Sequence, residues 1–468
     1  MSNCYTLHMG NIINLDDIYC KASRDLWPPI SRLMEFEGEH WRDKEHGKER
    51  LLKTRSFLDR RSGKFLCGFL PRVKKELSDK GIPVHYEGEQ IRLEPVRPTP
   101  ALKRTEGTRD DQLRLQTTLA IQAAIAGRGV IQAPTGSGKT TIAMLITSMF
   151  YPRYKILFLC HTISLLTQTK EEFERQGFKK IHLIGGGASR DLDPGASVTI
   201  ATVQSFSKIN PEQYCDAFDV LLVDEAHHVN STQSLFGGVI THLLSPVKIG
   251  FTATLPSDRE GALSLEGIIG PVIGAITIQE GVDMKIMAKP KVRLVPVPSN
   301  SLFADIRKYA DLYRAAVVES RVRNSLVARE AMAMANQAKT TLIIVKEILQ
   351  GENLVDILRT RGVNCLFIQG KTPGETREAV KKQFNQKQIP VVICTAVWKE
   401  GVNIPSLDCV INACGGKSEI ATLQAIGRGL RAIPGKDTIV VIDFLDPYRY
   451  LAQHAIQRLS IYVEAGWL

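Results

Sequence analysis

Sulfur chemistry, long apolar runs and low-complexity tracts are what this 468-residue chain has little of. Nine cysteines, among them Cys67, Cys160, Cys365 and Cys409, are scattered without a CxxC pair or a Cys/His cluster at zinc-site spacing. That excludes a disulfide scaffold and a zinc module, and the thiols read as ordinary buried side chains of a reducing cytosol. No apolar run approaches the roughly 20 residues needed to cross a bilayer. The start MSNCYTLHMG has neither the basic nor the apolar region of a signal peptide. The expected location is therefore cytoplasmic, with no membrane partner. With 44% hydrophobic and 23% charged residues and no biased tract, the chain should be folded nearly end to end.

What is present is length and positive charge. A chain this long exceeds one core, and one domain per roughly 100 to 200 residues predicts three. Sixty Lys and Arg face 49 Asp and Glu, a formal charge of +11, and residues 42–75 carry 12 basic against 4 acidic side chains. Such a field attracts polyanions through counterion release, and nucleic acid answers it; acidic lipid surfaces or acidic proteins answer it as well. Pro95, Pro98 and Pro100 with Lys103, Arg104 and Gly107 read as a linker that closes an N-terminal domain.

Beyond it, short apolar runs alternate with helical patterns. GVIQAP, KILFLC, IHLIG, SVTIAT, DVLLVDEA and VKIGFTAT read as buried parallel strands, and a second series comes after Lys289-Pro290-Lys291: TTLIIV, VNCLFIQG, IPVVICTA, LDCVINAC and DTIVVIDF. The fold class is therefore α/β, with two tandem parallel-sheet domains behind a small α+β N-terminal domain, at residues 1–108, 109–285 and 286–468.

Ala133-Pro134-Thr135-Gly136-Ser137-Gly138-Lys139-Thr140 follows one of these strands and opens the helical stretch TTIAMLITSMF. Glycines let backbone N–H groups converge on phosphates, and the helix N-terminus adds a positive dipole end. In this pattern Lys139 neutralises the β and γ phosphates of ATP and the Thr140 hydroxyl ligates Mg2+. Asp224-Glu225-Ala226-His227 ends the strand DVLLV, at the sheet edge where ligands of open α/β folds bind. Asp224 is the candidate Mg2+ holder and Glu225 the candidate base for the attacking water, with His227 closing the box. A zinc site built from His227, His228 and Asp224 is disfavoured, because adjacent residues rarely chelate one ion.

With an A-x-x-G-x-G-K-T loop and a DEAH box, the chain resembles the superfamily 2 helicases, whose two motor domains are RecA-like. Thr252-Ala253-Thr254 matches their S/T-A-T motif, and Gln424-Ala425-Ile426-Gly427-Arg428-Gly429-Leu430-Arg431 matches Q-x-x-G-R-x-x-R. The resemblance implies that Arg428 and Arg431 are arginine fingers and that Gln424 helps to position water or phosphate. Looser matches suggest nucleic-acid contacts: Cys160-His161-Thr162 with Leu165 and Gln168, where relatives usually have Pro at the place of His161; Thr202-Val203-Gln204-Ser205; Gln369-Gly370-Lys371; and Thr395 with Gly401 and Asn403, of which Gly401 also falls to the nucleotide. Turn chemistry is the alternative for each of these. Gln116 stands where relatives keep an adenine-recognising glutamine, although their spacing is R-x-x-Q and here Arg114 is two residues before it.

A narrower likeness concerns the front of the chain. Arg55-Ser56-Phe57-Leu58-Asp59-Arg60-Arg61-Ser62-Gly63-Lys64-Phe65, then Gly68-Phe69-Leu70 and a helix over LPRVKKELSDKG, is similar to the small front domain of phage branch-migration helicases of the UvsW type, those of T5-like phages among them. This implies Arg55, Arg60, Arg61 and Lys64 as DNA phosphate contacts; a solvated charged face is the alternative. The resemblance implies a monomeric, ATP- and Mg2+-dependent helicase acting on forked or four-way-junction DNA in phage recombination, repair or replication, in the cytoplasm of an infected bacterium. The rivals are an RNA helicase, a restriction- or chromatin-type duplex translocase, and a nucleic-acid-binding ATPase switch that unwinds nothing.

Overall fold

The computed structural model describes residues 11–103, 110–395, 404–416 and 436–468, except 17, 45–46, 135, 257, 285–286, 304 and 405, and leaves aside the side chains of 39–52, 110–112 and 278. The chain divides into two compact units, Met1–Ala133 with Gly138–Ala275, and Pro134–Ser137 with Ile276–Leu468.

The first unit begins with a module of six strands: β1 (Ile12–Asn14), β2 (Tyr19–Ala22), β3 (Glu35–Lys44), β4 (Gly47–Ser56), β5 (Lys64–Leu66) and β6 (His85–Glu87). Four of them form a mixed sheet in the order β5-β2-β1-β6, and β3 and β4 pair as a separate ribbon from Glu35↔Ser56 to Lys44↔Gly47. The helices are α1 (Trp27–Leu33) and α2 (Leu70–Asp79). Helix α2 begins with a proline in its first turn and buries Leu70, Val73 and Leu77 on one stripe, the spacing expected from LPRVKKELSDKG. The preceding turn is held by Asp59, which accepts from the Arg61 N–H at 3.0 Å and from the Ser62 hydroxyl; these bonds, the hydroxyl first, keep its carboxyl below the usual range. Gly63 closes the turn at φ +75°, and a Cβ there would stand 2.4 Å from the Ala22 carbonyl and 2.7 Å from Trp27 Nε1.

This module shares a core with the rest of the first unit. One continuous apolar cluster runs from Ile13, Phe65, Phe69 and Leu77 into Val130, Leu221, Leu265 and Ile268. At the joint with α8 (Arg259–Ile268), a Cβ at Gly68 would sit 2.0 Å from the Glu266 carbonyl and one at Gly267 would strike the Phe69 ring at 2.6 Å. Arg72 Nε donates to Glu266 at 2.7 Å, and Arg259 Nε donates to the Glu35 carbonyl at 2.6 Å. The expected linker is also packed: Val96 N–H donates to the Met149 carbonyl at 2.7 Å and Ala101 N–H to Ser148 Oγ at 3.1 Å, along α4 (Lys139–Phe150).

The main sheet of this unit is fully parallel, in the order β13-β7-β12-β11-β8-β10-β9, built from β7 (Arg128–Gln132), β8 (Ile156–Cys160), β9 (Ile181–Ile184), β10 (Val198–Thr202), β11 (Val220–Val223), β12 (Val247–Thr252) and β13 (Val272–Ala275). Strands β8, β10, β11 and β12 are buried along their whole length, because helices cover both faces of a parallel sheet.

The second unit has a six-stranded parallel sheet in the order β14-β19-β18-β15-β17-β16, from β14 (Lys289–Pro296), β15 (Thr341–Ile344), β16 (Cys365–Ile368), β17 (Val391–Cys394), β18 (Cys409–Asn412) and β19 (Thr438–Leu445). Its interior carries charge. Arg323 binds the carboxylate of Asp446 through Nε at 2.8 Å and a terminal nitrogen at 3.1 Å, with both side chains fully buried. Arg458 does the same to Asp443, which also accepts from Tyr462 at 2.6 Å. The remaining nitrogens hold main chain: Arg323 donates to the Ala413 carbonyl at 2.9 Å and Arg458 to that of Gly416 at 2.7 Å. Among the described residues of both units, no helix is long and apolar enough to cross a membrane.

Candidate active site

The candidate site lies at the carboxyl edge of the first unit's sheet, where the order of strands brings distant loops together. Strand β7 runs into the phosphate loop and then α4. Gly136 and Gly138 stand at φ +89° and +90°, which side-chain-bearing residues rarely adopt. Ser137 is buried with its hydroxyl on the Pro134 carbonyl at 2.7 Å, and Lys139 Nζ donates to the Ala133 carbonyl at 3.4 Å. Thr140 lies half-buried in the first turn of α4. Gln116, 1% exposed on the helix α3 (Asp110–Ala126), leans against this loop: a Cβ at Gly138 would come 2.1 Å from its Nε2. The departure from R-x-x-Q spacing therefore does not take Gln116 away from the loop. Thr135 lies outside the described residues.

Asp224 and Glu225 follow β11, two strands from β7. Burial pushes Asp224 up to about 6; the neighbouring Glu225 charge adds to this, and Lys139 and His228 pull against it. Glu225 takes the left-handed conformation at φ +50°, strained for a residue with a Cβ, and its Oε2 accepts no hydrogen bond among the described residues. His227 Nδ1 lies 3.4 Å from that oxygen and 3.1 Å from Thr252 Oγ1 at the end of β12. The Thr252 hydroxyl spends its proton on the Thr254 carbonyl at 2.7 Å, so His227 donates from Nδ1 and the tautomer is fixed. Glycines in left-handed turns, a lysine at the helix start and two adjacent half-buried carboxylates form a donor set that fits a nucleotide polyphosphate with a hard divalent cation, which would relieve the cost of charging Asp224.

On the other side of β11 lies β8, and next to it β10. Thr162 caps α5 (Ile163–Gln176), its hydroxyl accepting from Leu165 N–H at 3.4 Å. Thr202 ends β10, is 3% exposed and donates to Ser205 Oγ at 3.0 Å, so here it holds the turn into α6 (Val203–Phe206). Gln204 is open to solvent, its Nε2 3.5 Å from His161 Nδ1. Sequence motifs alone assign no role to the histidine rings in between. His161 stacks on His228 with ring centres 4.5 Å apart, and both face Phe236, on α7 (Leu235–Ile240), at 6.2 and 5.6 Å. No local spacing signals this cluster, because its members come from three separate segments of the chain.

In the second unit, Gly370 and Lys371 form the turn after β16, closed by Thr372 N–H on the Gln369 carbonyl at 3.0 Å, and Thr395 follows β17 with its N–H on the Ile368 carbonyl at 3.1 Å. Gly401, Asn403, Gln424, Arg428 and Arg431 lie outside the described residues. The front-module candidates Arg55, Arg60, Arg61 and Lys64 are all exposed, and Arg60 also meets Glu35 at 3.0 Å and Ser31 Oγ at 2.9 Å.

Comparison with known proteins matches residues 105–257 to the family model described as the type III restriction enzyme res subunit, and residues 323–433 to the helicase conserved C-terminal domain. The chain belongs to the superfamily 2 helicases. The ATP-dependent DNA helicase uvsW of Enterobacteria phage T4 is 25% identical over 387 residues, covering 75% of this helicase and 74% of the relative. A probable helicase of Escherichia phage T5 is 22% identical over 362 residues, covering 76% of each. The solved structure of S. cerevisiae Dbp5 bound to RNA and ADP BeF3 superposes with a TM-score of 0.54 at 17% identity, over 77% of this chain and 93% of that one, and shares its fold. Both family models lie beyond residue 104, so the front module stands outside them.

Proposed function

We propose that this ATP-dependent helicase unwinds or branch-migrates forked and four-way-junction DNA, in phage recombination, repair or replication. The observation that carries the reading is the joint between the front module and the motor: a basic module outside both family models shares one core with the domain that bears the phosphate loop. Whatever DNA the module holds is then held by that motor domain. Arg55, Arg61 and Lys64 supply phosphate contacts there, so binding is insensitive to sequence and sensitive to salt.

At the nucleotide site, the loop N–H groups and Lys139 bind the phosphates, Thr140 and Asp224 hold Mg2+, Glu225 takes the proton of the attacking water, and His227 fixes the position of Glu225 relative to Thr252. Pro134, Thr135, Gly136, Ser137 and Gly138 shape the cradle, with Gln116 beside it for the base. Gln424, Arg428 and Arg431 serve the transferring phosphoryl group, and Gly401 the nucleotide. ATP with Mg2+, when bound, supplies the phosphoanhydride whose hydrolysis drives the cycle. Thr162, Gln204, Gly370 and Thr395 contact the strand; Thr202 contributes through its turn. The phage uvsW relative, called a DNA helicase, supports DNA over RNA.

The test compares ATPase stimulation and strand separation on single strands, forks, four-way junctions and RNA at one salt concentration. Greatest stimulation by forks or junctions, with strands separated, is expected. Greater stimulation by RNA, or turnover with no strand separation on any substrate, would replace the reading by an RNA helicase or a switch.

A further inference from the structure

The contacts along the sheet edge meet at the DEAH segment. His227 reaches β12 at Thr252 and its ring lies 4.3 Å from that of His228, which lies almost flat on His161 after β8, with 19° between the rings. Phe236 backs both at 20° and 24°. That backing is fixed: Phe236 is 3% exposed, Ser234 Oγ caps its helix by accepting from Gly237 N–H at 3.1 Å, and a Cβ at Gly237 would stand 2.0 Å from the Ser231 carbonyl. A shift of His228 is therefore taken up by His161, which is half-buried and borders solvent. Beyond His161 comes Gln204, at 3.5 Å, in the turn after β10. Four neighbouring strand ends, β12, β11, β8 and β10, are thus joined by side chains, and the start of the phosphate loop meets β12 through main chain, Ala133 N–H donating to the Thr252 carbonyl at 2.8 Å.

Resting on the function proposed above, we infer that His161 is a positioning residue that couples the nucleotide site to the nucleic-acid side through its stack on His228. Its role is carried by ring contact, since a ring displaced beneath it must move it, while the 3.5 Å bond to Gln204 is long for a rigid link. The route meets that through Thr252 at the DEAH segment, where the His227 and His228 rings lie 4.3 Å apart.

The experiment measures steady-state ATP turnover with and without saturating single-stranded DNA for the parent, His161→Ala, His161→Phe and His161→Asn, each variant's DNA-free rate being its own reference. His161→Ala should lower the DNA stimulation ratio by about threefold to tenfold, the scale of an aromatic pair, with the KM for ATP unchanged. His161→Phe, which keeps the stack and loses the hydrogen bond, should restore most of the ratio; His161→Asn, which keeps a polar partner for Gln204 and loses the stack, should not. An unchanged ratio in His161→Ala, or rescue by Asn and not by Phe, overturns the inference, and the Phe and Asn pair decides it should the alanine variant fold poorly. A parent that DNA does not stimulate removes the proposed function and this inference together, whereas a stimulated parent with an indifferent His161 removes the inference alone.

Discussion

The carboxyl edges of the two parallel sheets are built on opposite principles. In the first unit the edge is joined by ring and hydroxyl contacts among His161, His228, His227 and Thr252, at 3.1 to 4.5 Å, beside an aspartate that burial pushes up to about 6. In the second the main chain at 413–416 is held by two fully buried arginines, each neutralised by its own aspartate. Ring and hydroxyl contacts reorganise at little cost, whereas a buried ion pair cannot be opened without stranding a charge. The difference teaches which contacts resist rearrangement: the edge bearing the candidate nucleotide site carries no buried ion pair among these contacts, and the main chain at 413–416 is clamped.

Each side of that comparison can be broken. The largest effect is expected from Lys139→Ala, which removes the cation facing Asp224 and should lower ATP turnover at least about a hundredfold in a steady-state assay; normal turnover would remove the site assignment. Arg458→Met strands Asp443 and should cost about 3 to 5 kcal/mol of unfolding free energy in a denaturant titration, with Arg458→Met/Asp443→Leu recovering much of it. Equal stability of single and double variants would mean that the ion pair does not hold the clamp. Gly68→Ala forces a methyl against the Glu266 carbonyl and should destabilise the first unit by about 1 to 3 kcal/mol, read as a lower melting temperature. Thr252→Val breaks the hydroxyl link from His227 to Thr254 and should leave turnover within about threefold while strand separation falls further, the loss of roughly one net hydrogen bond. Smallest of all, Arg61→Ala/Lys64→Ala should lower the salt dependence of DNA affinity by about two phosphate contacts without changing the DNA-free ATPase.

The Gly68 joint also alters an experiment that the sequence suggests. Deleting residues 1–100 looks from composition like removal of a separate domain that spares the ATP site. With Phe69 packed on Gly267 and Val96 bonded along α4, such a deletion opens the core of the motor domain itself. Surface substitutions such as those at Arg61 and Lys64 separate DNA contact from stability.

Most of the fold was legible because a parallel sheet covered on both faces writes its strands as short continuous apolar runs, and eleven of the thirteen strands in the two main sheets announce themselves that way. The two that did not, β13 and β14, are edge strands: β13 is largely exposed, and β14 alternates and contains Pro290 and Pro296, tolerable where one side of the ladder is open. The candidate phosphate loop and DEAH box could be read from the sequence because each is a run of consecutive residues. His161 with His228 and Arg323 with Asp446 were not, since partners 67 and 123 positions apart meet only through strand order and helix packing. Nor did the basic run signal that Arg60, while exposed, also pairs with Glu35 inside its own module.

The most direct test of a movable edge that converts nucleotide state into grip is the affinity of Glu225→Gln for forked DNA with and without ATP and Mg2+, at constant salt. A ligand shifts an equilibrium only by its differential affinity for the two states. The account predicts that ATP changes the DNA dissociation constant of this hydrolysis-poor variant at least about fivefold, and that DNA changes its ATP affinity by the same factor. Equal DNA affinity with and without ATP, in a variant shown to bind ATP, would contradict it.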